Sequence, residues 1–177
     1  MKTFGGPALF LDRSDINTDE IIPARYLTEI SKTALQPHLL EDLLIDGRPF
    51  VHGSPAMKKA RVIVSRKNFG CGSSREHAVW AFEVNAINLV IAESFARIFR
   101  QNMFNCGILA VELPGREIET LFALRGTVTI DVDLDKEILT ACSSEAADPV
   151  KCGFSLNPFD KELIAAGGWL AYADQKY

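Results

Sequence analysis

The sequence predicts an α/β fold with a parallel core. Three short apolar runs carry that prediction: ARVIV at 60–64, INLVIA at 87–92 and ILAVEL at 108–113. Each reads as a buried strand. Two helical patterns, 76–86 and 95–105, alternate with them. Strand–helix–strand–helix–strand with short links implies parallel crossovers.

Taken in order, residues 8–11 form a first short apolar strand. A polar turn, DRSDINTDE, follows, and the apolar pair Ile21-Ile22 is stopped by Pro23. Residues 24–36 read as a loop. Pro37 then stands at a first helical position before HLLEDLL, an amphipathic pattern. Asp46-Gly47 marks a turn. After the strand 60–64 comes a glycine- and serine-rich link, 68–74, and then the helix 76–86, apolar on most sides. Ser94 stands where it would cap the helix 95–105, with Phe95, Ile98, Phe99 and Met103 on one face. Gly107 opens the third strand and Pro114 ends it. A short helix is expected near 117–123. TVTIDVDL and EILTAC alternate in polarity on either side of Asp135-Lys136 and read as a hairpin. A helix over 159–166 is closed by Gly167-Gly168. The expected whole is a mixed sheet, its parallel βαβαβ core extended by antiparallel strands.

Composition narrows the function classes. At 177 residues, 1–177 is read as a single domain with no internal repeat or linker. With 47% hydrophobic and 24% charged residues, the chain has too much apolar material for general disorder. A net charge of -4 argues against a dedicated nucleic-acid binder. The N-terminus lacks a signal-peptide pattern, and no apolar run approaches the ~18 residues of a membrane span, so a soluble cytoplasmic protein is expected. Cys71, Cys106, Cys142 and Cys152 form no Cys-x-x-Cys pair. No zinc or iron–sulfur site built wholly from this chain is expected, and free thiols are the simplest reading.

The segment 68–77, N-F-G-C-G-S-S-R-E-H, leaves a buried strand and enters a buried helix. In open α/β sheets ligands gather at the carboxyl ends of strands. Gly70 and Gly72 permit positive φ and close backbone approach. A helix N-terminus favours an anion. Ser73 and Ser74 add hydroxyls, and Arg75 adds a planar fork for a carboxylate or phosphate. The plainer alternative is that Ser73 only caps the helix, since Ser-Ser-Arg-Glu also matches a capping box. Arg75 stands where a dinucleotide fingerprint needs glycine, which disfavours that site. Cys71 with His77 as its base is a nucleophile alternative; Cys71 as a packing residue and His77 as a buried hydrogen-bonding group are the plainer ones. The second polar cluster, 15–23, contains Asp19 and reads first as a turn held by side-chain hydrogen bonds. The loop after it carries Tyr26, Leu27 and Lys32 and is shaped to close over a ligand.

NFGCGSSREHAVWAF, with DINTDEIIPARYL upstream and VIAESFARIFRQNMFNCGI downstream, resembles the small subunits of 3-isopropylmalate dehydratases. These correspond to the swivelling C-terminal domain of the aconitase superfamily. The likeness spans roughly 10–114. It implies a swivelling β/β/α domain and a hydro-lyase reaction, dehydration and rehydration of 2-isopropylmalate through isopropylmaleate in leucine biosynthesis. It implies a large partner subunit whose three cysteines hold a [4Fe-4S] cluster, and a small 2-hydroxy di- or tricarboxylate substrate. It implies no nucleic-acid or membrane partner. By motif, Ser73 matches the catalytic base and Ser74 and Arg75 match substrate-carboxylate contacts. Beside them, Asp19, Gly70, Gly72 and His77 are read as supporting residues. Short members often have Tyr-Leu-Arg-Thr in the substrate loop; here the residues are Tyr26-Leu27-Thr28-Glu29, which places Thr28 at the selecting position. Lys32 falls where longer bacterial members have an arginine. Sister reactions on homoaconitate, citraconate/2-methylmalate or dimethylmalate share this pattern. A stand-alone anion-binding regulatory module is the alternative of another class.

Overall fold

The computed structural model describes residues 2–177. Seven strands form one sheet in the order β6-β5-β4-β1-β7-β8-β9. They are β1 (Gly5–Phe10), β4 (Val62–Val64), β5 (Leu89–Ala92), β6 (Leu109–Glu112), β7 (Val128–Asp133), β8 (Ile138–Ser143) and β9 (Val150–Gly153). The strands β1, β4, β5 and β6 run parallel, and β7 to β9 are antiparallel. Every residue of β4 and β5 is buried, as expected of parallel strands covered on both faces. In β7, buried Val128 and Ile130 alternate with exposed Thr129 and Asp131. That pattern marks a sheet half with one solvated face.

The strand β1 joins the two halves by changing partner along its length. Gly5–Pro7 pair antiparallel with β7, and Ala8–Phe10 pair parallel with β4. Because β4 does not reach Gly5, the side chain of Asn88 stands in for it. Asn88 Oδ1 accepts from Gly5 N–H at 2.8 Å, and Nδ2 donates to Gly5 O at 2.9 Å.

The helices are α1 (Thr18–Ile21), α2 (Pro55–Lys59), α3 (His77–Val84), α4 (Arg97–Asn105), α5 (Gly115–Phe122), α6 (Pro158–Ala166) and α7 (Trp169–Lys176). The helix α6 ends at Gly167 in the left-handed region (φ 98°), which closes it as the sequence predicts. Asp46 and Gly47, both at positive φ, make the two-residue turn of a small hairpin, β2 (Leu44–Ile45) with β3 (Arg48–Pro49).

Several elements differ from the sequence reading. The helix expected after Pro37 does not form. Pro37 lies inside a 3-10 segment, Lys32–His38, and Leu40 adopts φ 60°, which breaks the pattern. The amide of Leu40 bonds across to Ile21 O at 2.8 Å. Leu39, Leu40 and Leu43 are all buried, so these leucines anchor an irregular segment instead of lining a helix face. The region 24–36 is also not plain loop, since it holds a second 3-10 turn, Ala24–Tyr26. The polar turn 15–23 contains α1. Ser94 caps nothing: Ala96 is the N-cap of α4 and no side chain serves it. Ile98 is 56% exposed although it falls on the predicted apolar face, whereas Phe99 and Met103 are buried. The elements α2, β9 and α7 were not expected. All four cysteines are free.

Asn88→Ala removes both bonds to Gly5 where no strand can replace them. It is expected to cost about 1–3 kcal/mol, two hydrogen bonds' worth, read as a lower urea midpoint at unchanged slope.

Candidate active site

Three loops leave the carboxyl ends of β1, β4 and β5 and stay paired beyond the strands. On one side, Asp15 N–H donates to Lys67 O (2.9 Å), Gly70 N–H to Ile16 O (2.8 Å) and Thr18 N–H to Cys71 O (2.8 Å). On the other, Phe69 N–H donates to Ser94 O (3.0 Å) and Ala96 N–H to Phe69 O (2.9 Å). Ser94 Oγ accepts from Asn68 N–H at 2.8 Å; this, not helix capping, is its role. Phe69 is buried among Phe82, Phe95 and Phe99. Gly70 (φ 79°) lies so close to Phe99 that a Cβ would overlap the ring. Gly72 (φ 100°) passes beside the Thr18 hydroxyl. Both glycines are therefore required by backbone conformation, and Gly70 also by space.

This stitching presents 73–75 at the sheet edge. The helix α3 begins only at His77, and its N-cap, Glu76, makes no side-chain capping bond. The Ser73-to-Glu76 capping box does not form. The box that forms is upstream. Asn17 Oδ1 accepts from Glu20 N–H at 3.0 Å, and Glu20 Oε1 accepts from Asn17 N–H at 3.4 Å. The side chain of Arg13 also holds Glu20. So fixed, α1 turns the buried Thr18 toward the loop, where its Oγ1 accepts from Ser73 N–H at 3.2 Å. Asn102 Nδ2 donates to Ser74 O at 3.3 Å. Ser73 Oγ is buried and has no hydrogen-bond partner. A buried polar atom without a partner costs about 1–3 kcal/mol, so its presence asks for an explanation.

Ser73 lies where two concavities meet. An open cleft of about 650 Å³ is lined by Gly70, Gly72, Ser73 and Ser74 on one side and by Arg97 and Ile98 of α4 on the other. A narrow crevice contains Ser73 with Asp19, Leu27 and Arg75. The guanidinium of Arg75 has no hydrogen bond or ion pair among the described residues and is exposed. The expected residues Ser73, Ser74, Arg75, Asp19, Gly70 and Gly72 are thus brought together.

Others stand apart. Lys32 Nζ is bound to Glu83 Oε2 at 2.9 Å, with the Trp80 ring 5.4 Å away. It lines a separate hollow with Trp169 and Leu170. His77 Nε2 is 3.3 Å from Glu29 O and its ring lies against Trp80. It ties the loop to α3 and forms no hydrogen bond with Cys71. The Cys71 thiol is pushed up by burial and then by Asp15, the wrong direction for a nucleophile. Thr28 is exposed beside Leu27 and makes no side-chain bond. Arg97, Ile98 and Asn102 were not singled out from the sequence. The sequence carried no signal for them, because Ser94 read as the cap of their helix; only the structure shows that its first turn has none.

Among the described residues, no group of three or more His, Cys, Asp or Glu is placed to hold a metal ion. Burial pushes the Cys106 and Cys152 thiols up to about 11, so both rest as neutral thiols near neutral pH. These residues do not fit a resident iron–sulfur cluster. Among the described residues, no helix is long and apolar enough to cross a membrane.

The family model for the aconitase C-terminal domain matches residues 5–116, from β1 into α5 and across all three site loops. The chain belongs to the aconitase C-terminal domain family. It is similar to the 3-isopropylmalate dehydratase small subunit of Pseudoalteromonas translucida, at 39% identity over 78% of this chain and 73% of that one. The small subunit of the same name from Paramagnetospirillum magneticum is 38% identical over 93% of this chain and 84% of that one. The crystal structure of 3-isopropylmalate dehydratase from Methanocaldococcus jannaschii matches with a TM-score of 0.75 and 32% identity, over 99% of this chain and 95% of that one. The mixed sheet is accordingly the aconitase-type swivel fold.

Gly70→Ala would force a left-handed backbone onto alanine and press its methyl into Phe99. The strain alone is worth about 1–3 kcal/mol. A loss of at least that size in denaturant unfolding is expected, and an unchanged midpoint would show that the loop relaxes freely.

Proposed function

We propose that this chain is the small subunit of a 3-isopropylmalate dehydratase, a hydro-lyase that converts 2-isopropylmalate to 3-isopropylmalate through isopropylmaleate in leucine biosynthesis. It acts in the cytoplasm with a large subunit that carries a [4Fe-4S] cluster. The observation that carries the reading is the buried Ser73 Oγ without a partner, next to an arginine without a counter-ion. The names of the relatives and the match across the site loops support it.

The chemistry follows from what these residues can do. The proton to be removed lies next to a carboxylate, so it is weakly acidic and negative charge builds as it leaves. Ser73 Oγ is free of internal bonds; as the alkoxide it takes that proton and becomes the neutral hydroxyl, which returns the proton on rehydration. A serine hydroxyl is a poor base unless its alkoxide is stabilised, and the adjacent Arg75 supplies fixed positive charge. The planar fork of Arg75 suits a carboxylate through two parallel hydrogen bonds, and among the described residues no carboxylate is paired with it, Asp19 of the same crevice included. Ser74 adds a hydroxyl donor. Donors already in place when charge develops favour the transition state over the ground state. Asp19 and Leu27 bound the crevice behind Ser73 and Arg75. Thr18 fixes the backbone of Ser73 from the opposite side. The partner's cluster supplies a Lewis acid for the departing hydroxyl.

Two outcomes follow. Ser73→Ala in the assembled enzyme is expected to lower kcat by about 10²–10⁴-fold, the worth of a positioned general base. The same variant of the isolated chain should melt no lower than the parent, because Oγ bonds to nothing. Near-normal turnover with a lowered Tm would make Ser73 structural and end the assignment. The isolated chain, incubated with iron and sulfide, is expected to fold yet show neither cluster absorbance nor dehydratase activity. A stable cluster on this chain alone would overturn the division of labour.

A further inference from the structure

The first turn of α4 lines the cleft beside Ser73 and takes no part in the proton transfer. Resting on the proposed function, we infer that Arg97 holds the second carboxylate of the substrate and that Ile98 receives its branched alkyl group.

Three observations converge on this turn. The first is charge. A 2-hydroxy dicarboxylate has two anionic ends, and Arg75 can take one. Neighbouring arginines are engaged: Arg13 with Glu20, Arg66 with Asp12 and Glu119, and Arg100 with Glu112. Arg97 has no side-chain hydrogen bond or ion pair among the described residues and lines the same cleft as Ser73. It also borders a smaller hollow with Glu112 and Asp160. There, Glu112 lies 3.8 Å from Arg100, and Asp160 is held by Asn157 Nδ2 at 2.5 Å. The second is backbone polarity. The helix α4 starts at Arg97 with no side chain on its first amides. Those amides have no partner within the helix and favour an anion. The third is the orphaned Ser73 Oγ, a buried oxygen of a residue that lines the same cleft. A molecule seated in the cleft would face both.

Ile98 supplies the apolar part. It is 56% exposed on a helix whose next residue, Phe99, is buried, and it borders the cleft beside Arg97. A polar wall of Ser73 and Ser74 thus faces a wall that is cationic at one residue and aliphatic at the next. Those are the groups a dicarboxylate with a branched alkyl arm requires. Ser73 lines the crevice that holds Arg75 and the cleft that holds Arg97, as suits a base acting on a pair of adjacent carbons that each carry a carboxylate.

The test uses the enzyme assembled with its large subunit, with 2-isopropylmalate and 2-methylmalate as substrates. Ile98→Ala is expected to lower kcat/KM for 2-isopropylmalate at least about tenfold, the least that lost aliphatic contact is worth. It should leave 2-methylmalate changed less than about threefold, since little is lost when no branch fills the site. Arg97→Ala should raise KM for both substrates by about 10–100-fold, as loss of a charged hydrogen bond would, with a smaller change in kcat. Arg97→Lys should recover part of that loss, because charge returns without the fork. Both positions are exposed, so the melting temperature of the isolated variants should match the parent. An unchanged substrate ratio in Ile98→Ala, or an unchanged KM in Arg97→Ala, overturns the inference. So does an Arg97→Ala variant whose sole defect is loss of the large subunit on co-purification. A wild-type enzyme inactive on 2-isopropylmalate overturns the proposed function, and this inference with it.

Discussion

The site depends on one constraint: the segment 67–71 is clamped by backbone hydrogen bonds between 15–18 and 94–96. Each bond is worth only about 0.5–1.5 kcal/mol, but together they continue the pairing of β1, β4 and β5 past the ends of the strands. The chain can pass through this clamp only with Asn68, Gly70 and Gly72 at positive φ. Ser65, buried at the end of β4, donates its hydroxyl to Leu11 O and Arg13 O and fixes the exit of β1. Remove the clamp and Ser73 would sit on an ordinary surface loop, its hydroxyl free to find water.

The two halves of the sheet serve different ends. The parallel half ends in the loops that build the site. The antiparallel half, β7 to β9, contributes no residue to either concavity. The matched family region stops at 116, before β7. Folding couples the halves through β1, which pairs with β7 at its start and β4 at its end.

Much of this was legible in the sequence because local and tertiary signals agreed. The strands β4 and β5 are apolar on both faces and β6 is so up to Glu112, and the glycines of 68–74 sit where a strand must turn into a helix. The misreadings arose where a local pattern had two tertiary uses. Leu39, Leu40 and Leu43 have helical spacing, yet they are buried by a segment whose amide bonds to Ile21, a contact far away in sequence. Both Ser73 to Glu76 and Asn17 to Glu20 match a capping box. Only the pairing between loops, which spacing cannot encode, decides that the second forms. Ser94 had a cap's chemistry but was taken by the Asn68 amide. Lys32 carried a charge suited to a ligand and met Glu83 instead. Ile98 obeyed the apolar stripe of its helix, but at that point the stripe borders a cleft rather than the core.

If Arg75 and Arg97, unpaired among the described residues, hold a substrate as proposed, they also affect how it arrives. The chain carries a net charge of -4, so its mean field repels a dianion. Arg75 and Arg97 reverse that sign only locally. At physiological ionic strength charge interactions fade over about 8 Å, so a dicarboxylate feels little of the body and much of the two arginines once it is near. On the proposed function, this subunit would contribute to capture at short range rather than to long-range steering. Encounter with it is governed by diffusion and by how long the cleft holds what reaches it.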